Sequence, residues 1–137
     1  MSENKTELKL PSQLESVEKA AVEAAEFAEQ NHFGDDVKFA IDMAVREAVA
    51  NAVKHGNKLD ETKSVEITFE DSNEGFEITV RDFGAGFEIH EVPDPTHPEN
   101  LLKASGRGIL FMRSFMDEVE WFNPSGGGMM VKMLKKR

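Results

Sequence analysis

A chain of 137 residues, 39% of them hydrophobic, is long enough for one folded domain with a buried core. Sixteen basic against twenty-six acidic residues leave a formal net charge of -10, which argues against a nucleic-acid partner because such a surface repels phosphate backbones. The absence of cysteine excludes disulfides, thiolate zinc sites and cysteine nucleophiles, and a polar amino terminus with no long apolar run predicts a soluble, cytoplasmic protein that does not enter a membrane.

The chain opens with features typical of a strand followed by a helix. Residues 6–10 alternate weakly between polar and apolar side chains, which predicts a strand that Pro11 ends. Ser12 and Glu15 have the spacing of a capping box, and they predict the start of a first helix. The apolar face expected for that helix consists of Val17, Ala21, Ala24, Ala25 and Ala28.

A second helix has the clearest period in the sequence. Residues 31–36 interrupt the first helix, and Asp35 or Asp36 is expected to cap the second one. Gly56 is expected to end the second helix. The residues that recur at helical spacing, and so predict one buried face, are Val37, Ala40, Ile41, Ala44, Val45, Ala48, Val49, Ala52 and Val53.

After Ser64 the apolar side chains recur at every second residue, which is the period of a strand. Residues 65–69 and 76–80 both alternate in this way, and the polar segment 71–75 between them has turn composition. The pattern therefore predicts a β-hairpin.

The last third of the chain predicts a long loop, a short helix and two strands. Residues 87–105 contain three prolines, and an irregular segment of that length is usually a lid or a binding loop. Residues 106–116 predict a short helix, and 119–122 and 129–134 predict strands joined by a turn at 124–128. The seven methionines are expected to fill the core, among them Met112, Met116, Met129, Met130 and Met133.

The predicted order of elements is β-α-α-β-β-lid-α-β-β. Mostly antiparallel strands with helices gathered on one face make a two-layer α+β sandwich. The sequence therefore predicts a mixed, mostly antiparallel sheet covered on one face by helices, in a single domain spanning residues 1–137.

Three polar residues at intervals of four lie along one edge of the second predicted helix. These are Glu47, Asn51 and His55, and a polar group at the border of an apolar stripe needs a partner or a ligand. A solvated helix face, with the asparagine bonded to a neighbouring loop, explains the same spacing.

A carboxylate and two glycines follow directly on the second strand of the predicted hairpin, at Asp82, Gly84 and Gly86. Aspartate and glycine are common in ordinary strand-ending turns. The same residues also suit a flat ligand, because glycine lets a ligand approach the backbone closely.

Residues 105–108 have the sequence Ser-Gly-Arg-Gly and stand where the long loop gives way to a helix. Exposed amides at a helix N-terminus beside glycines form a ready anion site, although a flexible hinge without a ligand has the same composition.

Taken in order, these three features resemble the N, G1 and G2 boxes of the histidine kinase-like ATPase superfamily. The string REAVANAVKHG at 46–56 is similar to that of the RsbW-type anti-sigma factor serine kinases. So is Gly-Arg-Gly-Ile at 106–109, with Met112, Phe115 and residues 116–119 after it. The resemblance covers about residues 6–135, which is nearly the whole chain.

The resemblance implies a role for each polar residue. Asn51 would supply an oxygen to Mg²⁺ bridging the phosphates of ATP, and Asp82 would accept a hydrogen bond from the adenine amine. Glu47 would act as the general base toward a protein serine or threonine.

The resemblance assigns the glycines and their neighbours to nucleotide binding as well. Gly84 and Gly86 would keep the adenine pocket open. The lid, at about 87–105, and the helix after it would wrap the phosphates with Ser105, Gly106, Arg107 and Gly108.

Two positions depart from the family pattern. A threonine commonly follows the final hairpin glycine, whereas Met129 and Met130 follow Gly128 here. Some members carry an arginine just before the second glycine box, whereas this chain has Lys103 and Ala104. The first departure removes a hydroxyl near the adenine, and the second means that the identity of the partners does not carry over.

The resemblance implies an ATP-dependent serine/threonine kinase that acts as an anti-sigma factor. Such a protein would bind a sigma factor, phosphorylate an anti-sigma factor antagonist, and form a homodimer. A nucleotide-gated protein that switches partners without phosphoryl transfer is an alternative, and so is an interaction protein that has lost ATP binding. The carboxylate of Glu47 favours the kinase, because a protein that only binds has no need of it.

Overall fold

The computed structural model describes residues 5–57, 59–84, 112–124 and 127–137. The predicted lid at 87–105 and residues 106–111 of the predicted short helix lie outside the described residues. The elements in chain order are β1 (Lys5–Pro11), α1 (Glu15–Gln30), α2 (Asp35–Asn51), a π-helical turn (Ala52–Gly56), β2 (Ser64–Asp71), β3 (Gly75–Asp82), β4 (Glu118–Phe122) and β5 (Met129–Lys136), with residues 112–115 also helical.

The five strands form one sheet in the order β1-β2-β3-β5-β4, and each pair of neighbours is antiparallel. The two long helices pack on each other and on one face of this sheet. The α+β prediction is confirmed, and every described ladder is antiparallel. None of the described helices is long and apolar enough to cross a membrane.

The core lies between the helices and the sheet because one face of each element is apolar. Ile67 pairs with Val80 and Phe69 pairs with Ile78, so the apolar residues of β2 and β3 point to the same side. The ring of Phe27 from α1 packs there, 5.9 Å from the ring of Phe69 between centroids. Burial of these side chains supplies the main driving force for the fold.

The helical faces agree with the sequence pattern in α2 and only in part in α1. All nine residues predicted for the buried face of the second helix are buried. In α1, Ala25 is exposed and Val17 is only partly buried, while Phe27 and Ala20 are buried. The stripe of α1 is therefore rotated from the predicted one, since the large Phe27 directs that face toward the sheet. Of the methionines expected in the core, Met112, Met116, Met129 and Met133 are buried, whereas Met43 and Met130 are partly buried.

The predicted caps of both helices are wrong. Leu14 is the N-cap of α1, and the backbone N–H of Ser12, which a capping box would pair with the Glu15 side chain, donates instead to the Lys63 carbonyl (3.1 Å) and extends the pairing of β1 with β2. The Ser12 side chain is buried, and its Oγ has no hydrogen-bond partner among the described residues. Gly34 is the N-cap of α2, so Asp35 and Asp36 lie in the first turn, where their negative charges interact favourably with the positive end of the helix dipole.

Candidate functional site

The candidate site begins with Asp82, the last residue of β3, whose carboxylate is buried. Its Oδ1 accepts a hydrogen bond from the Gly84 amide at 3.1 Å. Burial raises the pKa of Asp82, while the backbone amides of Gly84 and Met129 and the charges of Lys63 and Arg81 act in the opposite direction. A buried, amide-bonded carboxylate of this kind is held in place and can accept a further hydrogen bond from a ligand.

The end of the second helix lies directly against this carboxylate. A Cβ atom at position 56 would lie 2.2 Å from Oδ2 of Asp82, and one at position 84 would lie 1.7 Å from the Gly56 carbonyl oxygen. Both distances are far shorter than real contacts. The role of Gly84 in opening the adenine pocket stays a prediction. The structure shows a separate reason for glycine here, because any side chain at 84 would clash with the Gly56 carbonyl.

The contact depends on how α2 ends. After Asn51 the helix changes to a π-helical turn, in which the Asn57 amide donates to the Ala52 carbonyl at 2.8 Å, five residues earlier. Helices end this way only rarely, and π-helical turns are frequent at functional sites. Gly56 ends the turn at the predicted position, but it does so against Asp82 rather than as a left-handed cap.

Sequence reasoning missed Asn57, which is 1% exposed. Its Nδ2 donates to the Ser64 carbonyl at 3.0 Å, and its Oδ1 accepts from the Phe83 amide at 2.8 Å. The residue therefore joins the end of α2 to the beginning of β2 and to the residue after Asp82. An asparagine after a glycine at a helix end is ordinary, so the local pattern gives no signal of this role.

Glu47 and Asn51 lie one turn apart on α2 and are both half-buried. Within the described part of the chain, neither side chain has a hydrogen bond or an ion pair. The neighbouring Arg46 contrasts with them, because it pairs with Glu18 of α1 and with Asp42 on its own helix. Because Gly56 packs on Asp82, the described fold brings the end of the helix that carries Glu47 and Asn51 to the end of the strand that carries Asp82.

The other predicted nucleotide-binding residues lie outside the described residues. These are Gly86, Ser105, Gly106, Arg107 and Gly108, and their predicted roles are untested.

The donors at this site suit a magnesium ion that is bound together with a nucleotide. Among the described residues, no group of three or more His, Asp or Glu side chains could hold a metal. The half-buried amide of Asn51 offers one oxygen, and Mg²⁺ is commonly held by one or two protein ligands together with phosphates and water. The described residues therefore fit Mg²⁺ as a partner of the phosphates.

The first of the two departures from the family pattern, at the start of β5, lies next to Asp82. Met129 of β5 is the cross-strand partner of Asp82, and it is buried. Gly128 before it has a φ of +79°, and a Cβ there would lie 2.0 Å from the Asp82 carbonyl oxygen. The position beside the carboxylate therefore has a thioether in place of the hydroxyl that the family pattern predicts.

The chain is similar to known proteins along nearly its whole length. Residues 10–135 match the family model of the histidine kinase-like ATPase domain. An anti-sigma F factor of Clostridium acetobutylicum is 37% identical over 99% of this chain and 96% of that protein. A serine-protein kinase RsbW of Oceanobacillus iheyensis is 29% identical over 94% of this chain and 84% of that protein.

A solved structure has the same fold at much lower sequence identity. It contains the RsbU and RsbW domains of a Mycobacterium tuberculosis protein, and the match has a TM-score of 0.70 at 15% identity. The match covers 96% of this chain and 32% of the solved chain. At this identity the likeness shows the fold alone.

Proposed function

This chain belongs to the histidine kinase-like ATPase family and, within it, to the RsbW-type anti-sigma factor kinases, and from that premise we propose that it is an ATP-dependent serine/threonine kinase acting as an anti-sigma factor. On this proposal residues 1–137 work as a single ATP-binding kinase domain. Sequence similarity to an anti-sigma F factor and to a serine-protein kinase supports both halves of the proposal.

The observation that carries the proposal is the buried carboxylate of Asp82 against Gly56. An ionised carboxylate only accepts hydrogen bonds, so it favours a base with an amino group at its edge. Adenine offers that amino group, whereas guanine has a carbonyl oxygen at the corresponding position. The site would therefore select ATP over GTP.

The residues along the edge of α2 would bind Mg²⁺ beside the phosphates and supply the general base. Asn51 would hold Mg²⁺ through its amide oxygen, and residues 105–108 together with Gly86 would complete the nucleotide site. Bound Mg²⁺ supplies neutralisation of the phosphate charge. Glu47, one turn before Asn51, would take the proton from the hydroxyl of a protein serine as that oxygen attacks the γ-phosphorus of ATP; the bond from that phosphorus to the bridging oxygen breaks, and ADP leaves.

The partners follow from the kinds of protein to which the chain is similar. An anti-sigma factor antagonist would be the phosphorylated protein, and a sigma factor would be the protein held inactive. The net charge of -10 favours a partner with a basic patch. A homodimer would suit the same family.

Two measurements on the same protein test the proposal. Calorimetry with Mg²⁺ and either ATP or GTP should show a clear preference for ATP. Labelled ATP and an antagonist protein should then give a phosphorylated serine. No heat with millimolar ATP would refute the proposal. ATP binding and partner binding without any transfer would instead support the nucleotide-gated switch.

A further inference from the structure

We propose that Asn57 is a positioning residue for adenine selectivity, which sets where the carboxylate of Asp82 stands. The inference rests on the proposed function, because it assumes that Asp82 receives the adenine amine. Asn57 itself would not touch the nucleotide, since it is 1% exposed and both its amide nitrogen and its amide oxygen bond the backbone.

The side-chain amide of Asn57 is a clamp between two backbone segments. Its oxygen accepts from the Phe83 N–H at 2.8 Å, and its nitrogen donates to the Ser64 carbonyl at 3.0 Å. Both partners have a fixed polarity, so only one orientation of the amide satisfies both of them. The residue is 1% exposed, and water cannot replace either bond.

Three close approaches connect this clamp to Asp82. The Phe83 amide held by Asn57 belongs to the residue directly after Asp82. Gly56, directly before Asn57, has its Cα against the Asp82 carboxylate, and Gly84 has its Cα against the Gly56 carbonyl. Any shift of Asn57 would therefore move the peptide that carries the carboxylate or the glycine that supports it.

The backbone of Asn57 ties the same clamp to α2. Its N–H donates to the Ala52 carbonyl, and its carbonyl accepts from the Asp60 N–H at 3.0 Å. Ala52 directly follows Asn51, the proposed metal ligand. A single buried residue thus fixes the adenine end of the site relative to the helix that serves the phosphates.

Aspartate is the informative replacement because it has nearly the shape of asparagine. With its carboxylate ionised, Asn57→Asp could still accept from the Phe83 amide through one oxygen, but the other oxygen would face the Ser64 carbonyl oxygen at about the present 3.0 Å. Two acceptors repel each other at that distance, so the clamp would open on the Ser64 side. Asn57→Ala removes both bonds and serves as the stronger variant.

Asn31→Ala is a matched control elsewhere in the fold. The amide of Asn31 also donates to a backbone carbonyl, that of Phe27 at 2.9 Å, but it lies at the end of α1. Asn31→Ala therefore removes a hydrogen bond between a side-chain amide and a backbone carbonyl, without changing the residues around Asp82.

The test compares dissociation constants for Mg-ATP and Mg-GTP in the parent protein and the three variants, after circular dichroism has shown that each is folded. We expect the ATP-over-GTP ratio to fall about tenfold in both Asn57 variants and to stay at the parental value in Asn31→Ala. A purely structural role would weaken both nucleotides together and leave the ratio unchanged.

The outcomes separate this inference from the proposed function. A parent protein that prefers ATP, with an unchanged ratio in a folded Asn57→Asp, would overturn the inference alone. A parent protein that shows no preference for ATP would overturn the assignment of Asp82 and the inference with it.

A measurement on the parent protein covers the case in which the variants do not fold. Exchange of the Phe83 amide proton, followed by nuclear magnetic resonance, should be slow in the free protein and slower with Mg-ATP. Fast exchange in the free protein would overturn the inference, and so would exchange that ATP leaves unchanged once calorimetry has shown that ATP binds.

Discussion

Replacing Gly56 by alanine should weaken ATP binding, because the new methyl group would occupy the space of the Asp82 carboxylate. The added Cβ would lie 2.2 Å from Oδ2, 2.3 Å from Cγ and 2.8 Å from Cβ of Asp82. All three atoms belong to one short, buried side chain that the amide of Gly84 also holds. The carboxylate has to move, because the Asn57 N–H beside position 56 is bonded to the Ala52 carbonyl and holds that backbone in place.

The size of the effect follows from the hydrogen bond that would be lost. A hydrogen bond to a charged group contributes about 1.5–3 kcal/mol, so ATP binding should weaken roughly ten- to a hundredfold. Overpacking should also lower the free energy of unfolding by about 1–3 kcal/mol. GTP affinity should hardly change, because guanine has a carbonyl oxygen at the position of the adenine amine and cannot donate a hydrogen bond to the carboxylate from there.

Calorimetry gives the affinities, and thermal unfolding gives the stability. Gly34→Ala is the matched control, because a Cβ at position 34 meets nothing within 4 Å and the backbone there is extended, with φ -75° and ψ 170°. This control should bind ATP like the parent protein. Parental ATP affinity in a folded Gly56→Ala would refute the assignment of Asp82 as the residue that recognises adenine.

ATP affinity should fall on acidification as Asp82 takes up a proton, since a protonated carboxyl presents a donor to the adenine amine. Burial raises the pKa of Asp82, so the loss of affinity should begin above the ordinary aspartate pKa of about 3.9. A calorimetric pH series measures this loss, and Asp82→Asn should flatten it. Glu47→Gln should leave ATP binding nearly intact and slow phosphoryl transfer to the antagonist roughly 10²–10⁴-fold. Asn51→Ala should impair both ATP binding and transfer. A parental transfer rate in Glu47→Gln would show that this carboxylate is not the base. Arg137→Ala should cost about 1–2 kcal/mol of stability, because it removes a partly exposed ion pair to both oxygens of Asp71 (2.9 and 2.8 Å) and a cation–π contact at 4.0 Å to a phenyl ring. Thermal unfolding checks that last value, with unchanged ATP affinity as the control, and an unchanged midpoint would contradict it.

The elements with a strict local period could be predicted from the sequence. The alternation at 65–69 and 76–80 gave the hairpin, and the spacing of apolar residues from Val37 to Val53 gave the buried face of α2. Each pattern depends only on neighbours two, three or four residues apart, so no knowledge of the rest of the fold is needed. Two candidate site residues, Asn51 and Asp82, could be chosen for the same reason, because their positions relative to a helix edge and a strand end are local.

The helix starts and the rotation of α1 could not be predicted in this way. Ser12 has a capping sequence, but the pairing of β1 with β2 reaches as far as its backbone and takes it away from the helix. The face of α1 follows the large ring of Phe27, whose neighbours Phe69 and Phe76 come from strands more than forty residues later. Tertiary packing overrode a sound local signal in both places.

The sequence by itself determined the kinds of elements, their order and the chemistry available at their ends. Only the tertiary structure decided that β5 lies between β3 and β4, that Gly56 supports Asp82, and that Asn57 joins α2 to Phe83. Asn57 and Phe83 are 26 residues apart, and a hydrogen bond over that distance leaves no period in the sequence. A glycine or an asparagine at a helix end has the same local pattern whether or not a carboxylate packs on it, because the reason for the residue belongs to the strand that folds against it.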